Sequence, residues 1–231
     1  MKNIINEIPS QSDVHGRSKY SIKFVDDIDI KDKKVLDVGC GYGWYELILK
    51  SRGAAYICGI EISDNDLSTA KKHIIDKKIE FKIGSAIDIP YPDKYFDTIV
   101  SWEVIEHIPK NTEDKMFQEI HRALKSNGVF YLSTPYKSLI SMILDPAWWI
   151  LGHRHYSKKQ LKKFGVDNGF ELQNIKVKGA FWNLFSILTM YIFKWIFRRR
   201  FPFEAYVNKK LDIEYESNNG YVDVFVKYKK L

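Results

Sequence analysis

The stretch SWEVIEHI, residues 101–108, brings two carboxyl groups and an imidazole together: Glu103, Glu106 and His107. Side chains of these types can take or deliver a proton where a reacting hydroxyl must be deprotonated. A second imidazole pair, His153 and His155, stands in GHRHY. An earlier stretch is more constrained. In VLDVGCGYGWYELI, residues 35–48, a short apolar run ends in Asp37, and Gly39, Gly41 and Gly43 follow on alternate positions around Cys40. Positions without side chains let the backbone take left-handed dihedrals and come close to a ligand. Glu61 lies 22 residues beyond Gly39, where a carboxylate can accept both hydrogens of a ribose diol.

These residues need elements to hold them. From residue 34 to about 133, short apolar runs alternate with amphipathic ones. The pattern predicts strands at Lys34–Val38, Tyr56–Ile60, Ile79–Ile83, Phe96–Ser101 and Gly128–Ser133. Helices are predicted at Trp44–Ser51, Asp66–Asp76 and Thr112–Lys125, the last opening on a capping-box pattern at Asn111 or Thr112 and stopping at Asn127-Gly128. Strands apolar on both faces call for a parallel sheet covered on both sides, an α/β doubly wound arrangement. In such a sheet a ligand binds beyond the carboxyl ends of the strands, where Asp37 and Glu61 fall.

Beyond Ser133 the expectations are a helix over Lys137–Leu151 interrupted at Pro146, a capped helix over Ser157–Asn168, and a strand in FELQNIKVKG. A final strand in YVDVFVKYK, residues 221–229, alternates in the manner of an edge strand. Two late strands with a helical insertion between them complete a seven-stranded sheet.

The 231 residues are 45% hydrophobic, enough for a substantial core, and 36 Lys and Arg against 29 Asp and Glu give a net charge of +7. That balance suits an anionic partner such as a phospholipid surface, and equally an ordinary solvated exterior. Cys40 and Cys58 lie in or beside apolar runs without metal-type spacing, which predicts reduced thiols. The opening MKNIINEIPSQSDVHG has no apolar core of signal-peptide length, so a cytoplasmic protein is expected.

The loop reads G-x-G-x-G after an acid, not the G-x-G-x-x-G of a dinucleotide site, and VLDVGCGYG resembles motif I of the class I S-adenosylmethionine-dependent methyltransferases. IGSAIDIPYPDKYFDTIVSWEVIEHI, EIHRALKSNGVFYLSTP and HRHYSKKQLKKFGVDNGFEL extend the likeness over roughly residues 30–178, toward the methyltransferase type 11 and ubiquinone O-methyltransferase-like members. The resemblance implies a Rossmann-like, mostly parallel seven-stranded sheet with helices on both faces and a helical insertion near the C-terminus. A single domain over 1–231 follows, with 1–30 as a helical cap and 134–168 and 180–215 as helical insertions over the acceptor site. It also implies that Asp37, Gly39, Cys40, Gly41 and Gly43 surround the methionine part of S-adenosylmethionine. Glu61 would hold the ribose, Ile62 would lie beside the adenine, and Trp102 would face the cofactor. Many relatives carry Asp just after the glycine matching Gly84; here Ser85 stands there, so Ser85, Ala86 and Ile87 inherit the adenine contacts.

For the transfer itself, the expected catalytic residues are His107, Glu103 and His155. The spacing E-x-x-E-H also resembles two metal-using branches, the ubiquinone-type O-methyltransferases and the small-RNA 3′-end ribose methyltransferases. Carried over, Glu103, Glu106 and His107 would bind Mg²⁺, but metal-free relatives begin this segment the same way, and the metal is not the favoured reading. Trp44, Trp102, Trp148 and Trp149 gather at one end of the expected sheet, suiting an apolar or aromatic acceptor.

Phe181–Phe197 carries only Asn183, Ser186, Thr189 and Lys194 as polar residues before Arg198–Arg200. On a helix those four fall within an arc of about 140°. The run is short for a membrane span, which needs about 20 apolar residues. It is read as a lid over the acceptor, a homodimer interface, or an interfacial helix at a membrane surface, making the protein peripheral there. The favoured activity is O-methylation of a lipophilic or aromatic small molecule. The alternatives are a metal-assisted RNA ribose methyltransferase and a non-catalytic S-adenosylmethionine-binding protein; nucleic acid is a disfavoured partner because the basic residues do not cluster outside 198–200.

Overall fold

The computed structural model describes residues 14–231, so the first thirteen residues of the expected cap lie outside the described residues. The strands are β1 (Lys34–Val38), β2 (Tyr56–Glu61), β3 (Ile79–Ile83), β4 (Phe96–Trp102), β5 (Leu124–Pro135), β6 (Phe170–Lys178) and β7 (Asp223–Lys230). They form one sheet in the order β3-β2-β1-β4-β5-β7-β6. β7 pairs antiparallel with both neighbours, and the other pairings are parallel. Alternate residues feed opposite faces. Leu36, Ile99, Phe130 and Val226 pack into one core, while Val35, Val100, Tyr131 and Phe225 pack into the other. This is why the strands read as continuous apolar runs.

The helices are α1 (Gly16–Phe24), α2 (Trp44–Ser51), α3 (Asp64–His73), α4 (Glu113–Ala123), α5 (Leu139–Leu144), α6 (Pro146–Leu151), α7 (Lys158–Asp167), α8 (Phe181–Ile192) and α9 (Glu204–Glu216). α7 opens on a capping box in which Ser157 and Gln160 bond each other's backbone N–H groups. Pro146 separates α5 from α6 at the expected place. The capping box expected at Asn111 or Thr112 does not form: the Thr112 hydroxyl donates to the Pro109 carbonyl at 2.7 Å. α4 also ends earlier than its glycine suggested. Leu124 is buried and pairs with Phe96, so the chain enters β5 before Asn127-Gly128.

The final strand corrects the expectation of an edge. β7 lies between β5 and β6, and β6 forms the border. Two of its lysines reach partners rather than solvent. Lys227 bonds Asp26 and Asp29 at 2.6 and 2.7 Å, and Lys230 Nζ donates to the His121 and Leu124 carbonyls at 2.5 and 2.8 Å. Alternation came from paired amines at strand positions, which periodicity does not distinguish from an exposed border.

The apolar run also ends differently. α8 gives way to a π-helical turn, Phe193–Phe197, and Arg198 takes a left-handed φ of 50° that turns the chain toward α9. No helix among the described residues is long and apolar enough to cross a membrane. Both cysteines are free and buried.

Candidate active site

Strand register brings the expected site residues together. Val38 pairs with Ile60 on one side and with Ser101 on the other, so Asp37, Glu61 and Glu103 emerge at the same end of the sheet. β1 lies where the strand order reverses, with β2 on one side and β4 on the other. Chains leaving there diverge and open a crevice.

One cleft of about 300 Å³ fills that crevice, bounded by Gly39, Glu61, Ile62, Ser85, Ala86, Glu103, Val104 and His107 among others. Glu61 accepts N–H bonds from Gly41 at 3.1 Å, Ile62 at 2.7 Å and Ser63 at 2.9 Å. A carboxylate has about four acceptor positions, so these three bonds orient the group and leave one position, on Oε2, for a ligand hydroxyl. Ile62 is 76% exposed, an apolar side chain left open beside the cleft. Gly41 has a φ of +54°, and a Cβ placed on it would meet nothing within 4 Å. The left-handed φ selects glycine there, and the loop is also bare toward open space. Gly43 is different: a Cβ on it would meet Ile74 at 2.7 Å, so this glycine serves the packing of α3 against the loop.

Behind the loop, Asp37 Oδ1, Tyr45 Oη, Ser101 Oγ and Trp102 Nε1 are buried without hydrogen-bond partners. Burial, followed by the nearby Glu61, raises the Asp37 pKa well above the usual carboxylate range. Unpaired buried polar atoms call for an explanation. Of these, Asp37 stands at the end of β1, two residues before the bare loop, where a ligand's amino group would supply the donor that Oδ1 lacks. The residues present thus fit the amino-acid end of S-adenosylmethionine, and Glu61 with Ile62 fits its nucleoside end.

Not every residue expected at this site borders the cleft. Cys40 is buried beneath the loop, with Sγ 3.8 Å from the Gly41 carbonyl. The Ile87 N–H is taken by Ser85 Oγ at 3.3 Å, and its side chain packs on the core. Trp102 stacks edge-on against Tyr45, with ring centroids 5.6 Å apart, behind the loop rather than in the cleft.

A second cavity, of about 190 Å³, adjoins the first and shares Glu103 and His107 with it. Glu103 adopts a left-handed φ of 57°, sparsely populated for a residue with a side chain. Its carboxylate accepts from Ser133 Oγ at 2.6 Å and from Arg17 Nη1 at 2.9 Å. Glu106 is buried and accepts from Thr134 Oγ1 at 3.0 Å; burial and then Glu103 raise its pKa well above the usual range. The His107 and His153 rings meet edge to face at 4.4 Å. Loss of hydration, then His153, Arg154 and Arg17, push the His107 imidazole down to about 4, so it is neutral near pH 7. His155 also faces this cavity, its Nε2 3.3 Å from Asp145.

Glu103, Glu106 and His107 do not converge as a ligand set. The segment after β4 is a series of turns, and the two carboxyl groups are committed to Arg17, Ser133 and Thr134. Among the described residues no group of three or more His, Cys, Asp or Glu side chains is placed to hold a metal ion.

Sequence reasoning missed Arg17 and Asp223, which lie 3.6 Å apart in the second cavity. Arg17 belongs to a segment without a motif and carries no sequence signal. Asp223 did carry one: an acid inside the apolar run YVDVFV must be buried with partners, here Asn183 and Tyr215.

Comparison with known proteins agrees with this geometry. Residues 36–132 match the family described as a methyltransferase domain. Phosphoethanolamine N-methyltransferase of Triticum aestivum is 36% identical over 116 residues, 48% of this chain and 22% of that protein. The ubiquinone biosynthesis O-methyltransferase of Pelagibacter ubique is 33% identical over 119 residues, 51% of this chain and 48% of that one. The chain therefore spans less than half the length of either relative. An S-adenosylmethionine dependent methyltransferase from Mesorhizobium loti has the same fold, with a TM-score of 0.63, 16% identity, and 92% of this chain and 96% of that one covered. A bare loop on a mostly parallel α/β sheet and an oriented acid on the next strand accompany the matched segment: residues 36–132 form a methyltransferase domain, and the fold is the one shared by S-adenosylmethionine-dependent methyltransferases.

Proposed function

We propose that this protein methylates an oxygen atom of a lipophilic or amphiphilic small molecule held in the second cavity. The observation that carries this reading is that Glu103 and His107 line both cavities, so they stand where donor and acceptor would meet. S-adenosylmethionine supplies a methyl group on a sulfonium, open to in-line displacement by an acceptor lone pair. For the chain's own residues the task is then to position the acceptor and take its proton.

His107, neutral near pH 7, is suited to receive the hydroxyl proton as the new carbon–oxygen bond forms and the carbon–sulfur bond breaks. Glu103, locked by Arg17 and Ser133, fixes the acceptor's polar group. His155 is a positioning group held beside Asp145. In the cofactor cleft, Glu61 holds the ribose, Ile62 and the Ser85–Ala86 backbone flank the adenine, and Asp37 with Gly39 and Gly41 receives the methionine end. Leu184, Ile187 and Met190 of α8 give the second cavity an apolar wall, and α8 thus acts as a lid over it. That wall beside a polar floor suits an acceptor with one hydroxylated end and an apolar body.

The test is transfer of labelled methyl from S-adenosylmethionine into fractionated cell extract. Label in a lipid fraction, base-stable as an ether or released as methanol from an ester, is the expected outcome. Label in RNA, or on an amine, would overturn the assignment.

A further inference from the structure

The second cavity has a mouth built from two helical segments, and both present apolar residues to the outside. α5 contributes Ser141 and, at its end, Asp145 to the cavity, while α8 contributes Leu184, Ile187, Met190 and Tyr191. The two helices are in contact. Leu139 and Ile143 of α5 are 79% and 61% exposed, Trp149 of α6 69%, and Ile196 of the π-helical turn after α8 70%. Ile140, Leu144, Phe181, Ile192, Phe197 and Phe203 are exposed as well. Isolated exposed apolar residues are ordinary, but this many on the two helices that wall one cavity, and on the segments next to them, mark an interaction surface.

The charges around this group are mainly positive. Lys137 and Arg198–Arg200 stand against two acids, Asp145, which is buried beside His155, and Glu204, which shares a cavity with Arg199 and Arg200. Arg198, Arg199 and Arg200 are exposed where the π-helical turn ends. An apolar surface with a cationic rim matches the acyl boundary and the head groups of an anionic bilayer. A second protein copy would bring the same positive rim against itself.

We infer that α5–α6 and α8 with its π-helical turn form a docking face for anionic membrane, set around the mouth of the acceptor cavity so that the acceptor is a lipid reaching the site from the bilayer. The docking half stands on exposure and charge alone. The claim about the acceptor rests on the methyl-transfer reading above. Insertion need only be shallow: the apolar side chains enter the acyl boundary, the arginines meet phosphates, and the acceptor's polar end rises toward Glu103 and His107.

The experiment is flotation of the full chain with phosphatidylcholine vesicles, with and without phosphatidylglycerol. Calorimetry with S-adenosylmethionine is run on each variant. The expected result is flotation only with phosphatidylglycerol, weakened by salt. The triple variant Arg198→Gln, Arg199→Gln, Arg200→Gln should lose on the order of a hundredfold in partitioning, at about 1 kcal/mol per arginine. The pair Ile143→Ser and Ile196→Ser should also release the protein, with cofactor affinity unchanged because both side chains face outward. Equal binding to neutral vesicles, or no binding to either, would overturn the docking face. So would a dimer in light scattering that the Ile143→Ser, Ile196→Ser pair dissolves while vesicles are ignored. Vesicle binding by a protein that does not bind S-adenosylmethionine would leave the face standing and sink the methyl-transfer reading instead.

Discussion

Arg17 Nη1 donates to Glu103 Oε2 at 2.9 Å, joining the first described helix to the turn after β4 across 86 residues of sequence. The same guanidinium lies 3.6 Å from Asp223 at the start of β7. One cation thus holds two acids from distant parts of the chain at the junction of the two cavities. Replacing it with Met leaves both carboxylates without their cation. Arg17→Met is expected to destabilise the fold by about 1–3 kcal/mol, and to reduce methyl transfer by about a hundredfold while cofactor affinity is retained. Arg17→Lys should restore part of the stability and less of the activity, because an ammonium lacks the planar fork. Thermal melts and calorimetry read these effects; unchanged transfer in Arg17→Met would remove Arg17 from the site.

Two loop glycines should behave oppositely. Gly41→Val places its side chain in open space at a φ of +54°. It should cost about 1–2 kcal/mol of backbone strain and weaken S-adenosylmethionine binding by at least about tenfold, or 1.4 kcal/mol. Gly43→Ala drives a methyl against Ile74 and Ala70. Its main effect should be a loss of about 1–3 kcal/mol in stability from overpacking. Full cofactor affinity in Gly41→Val would refute the placement of the methionine end.

The pH dependence of His107 has a definite sign. Its folded-state pKa, about 4, lies below the ordinary 6.5, so the unfolded chain binds the extra proton between those values. The contribution of this neutral imidazole to stability is therefore fully present above pH 6.5 and is lost as pH falls toward 4. Melting temperatures across that interval should decline less steeply in His107→Gln than in the parent chain. If His107 is also the base, the acid limb of kcat attributable to it lies near 4, and an acid limb centred at 6.5 would speak against this assignment.

The core under the site should respond to Phe117. Its ring is fully buried on α4 and meets Phe130, Phe170 and Tyr228 at centroid distances of 5.6–6.1 Å. Phe117→Ala should cost about 3–5 kcal/mol, measurable by urea unfolding. A loss under about 1 kcal/mol would mean that the neighbouring rings collapse into the space.

Much of the fold was legible in the sequence because its signals are local. β1, β3 and α2 fall where the apolar runs and the glycine loop predict them. The break between α5 and α6 follows from Pro146, and the α7 cap from Ser157 and Gln160. Where prediction failed, a partner distant in sequence had decided the matter. Thr112 found the Pro109 carbonyl instead of capping α4, Leu124 joined β5 by pairing with Phe96, and Lys227 and Lys230 of β7 found acids and carbonyls in what proved an interior strand, not an edge.

The same division runs through the candidate site. Asp37, the bare loop and Glu61 are readable because they sit at the ends of consecutive parallel strands, and a strand end followed by glycines carries its geometry in its own sequence. Glu103 and His107 were visible as residue types, but their roles were not. What each acid faces depends on Arg17 from the N-terminal helix, Ser133 and Thr134 from β5, and Asp223 from β7. Local sequence determines dihedrals and periodicity, and with them the donor's cleft. Only the closing of the sheet, which brings groups as far as 206 residues apart to within 3.6 Å, decides which carboxylates are paired with a cation and which face remains open for an acceptor.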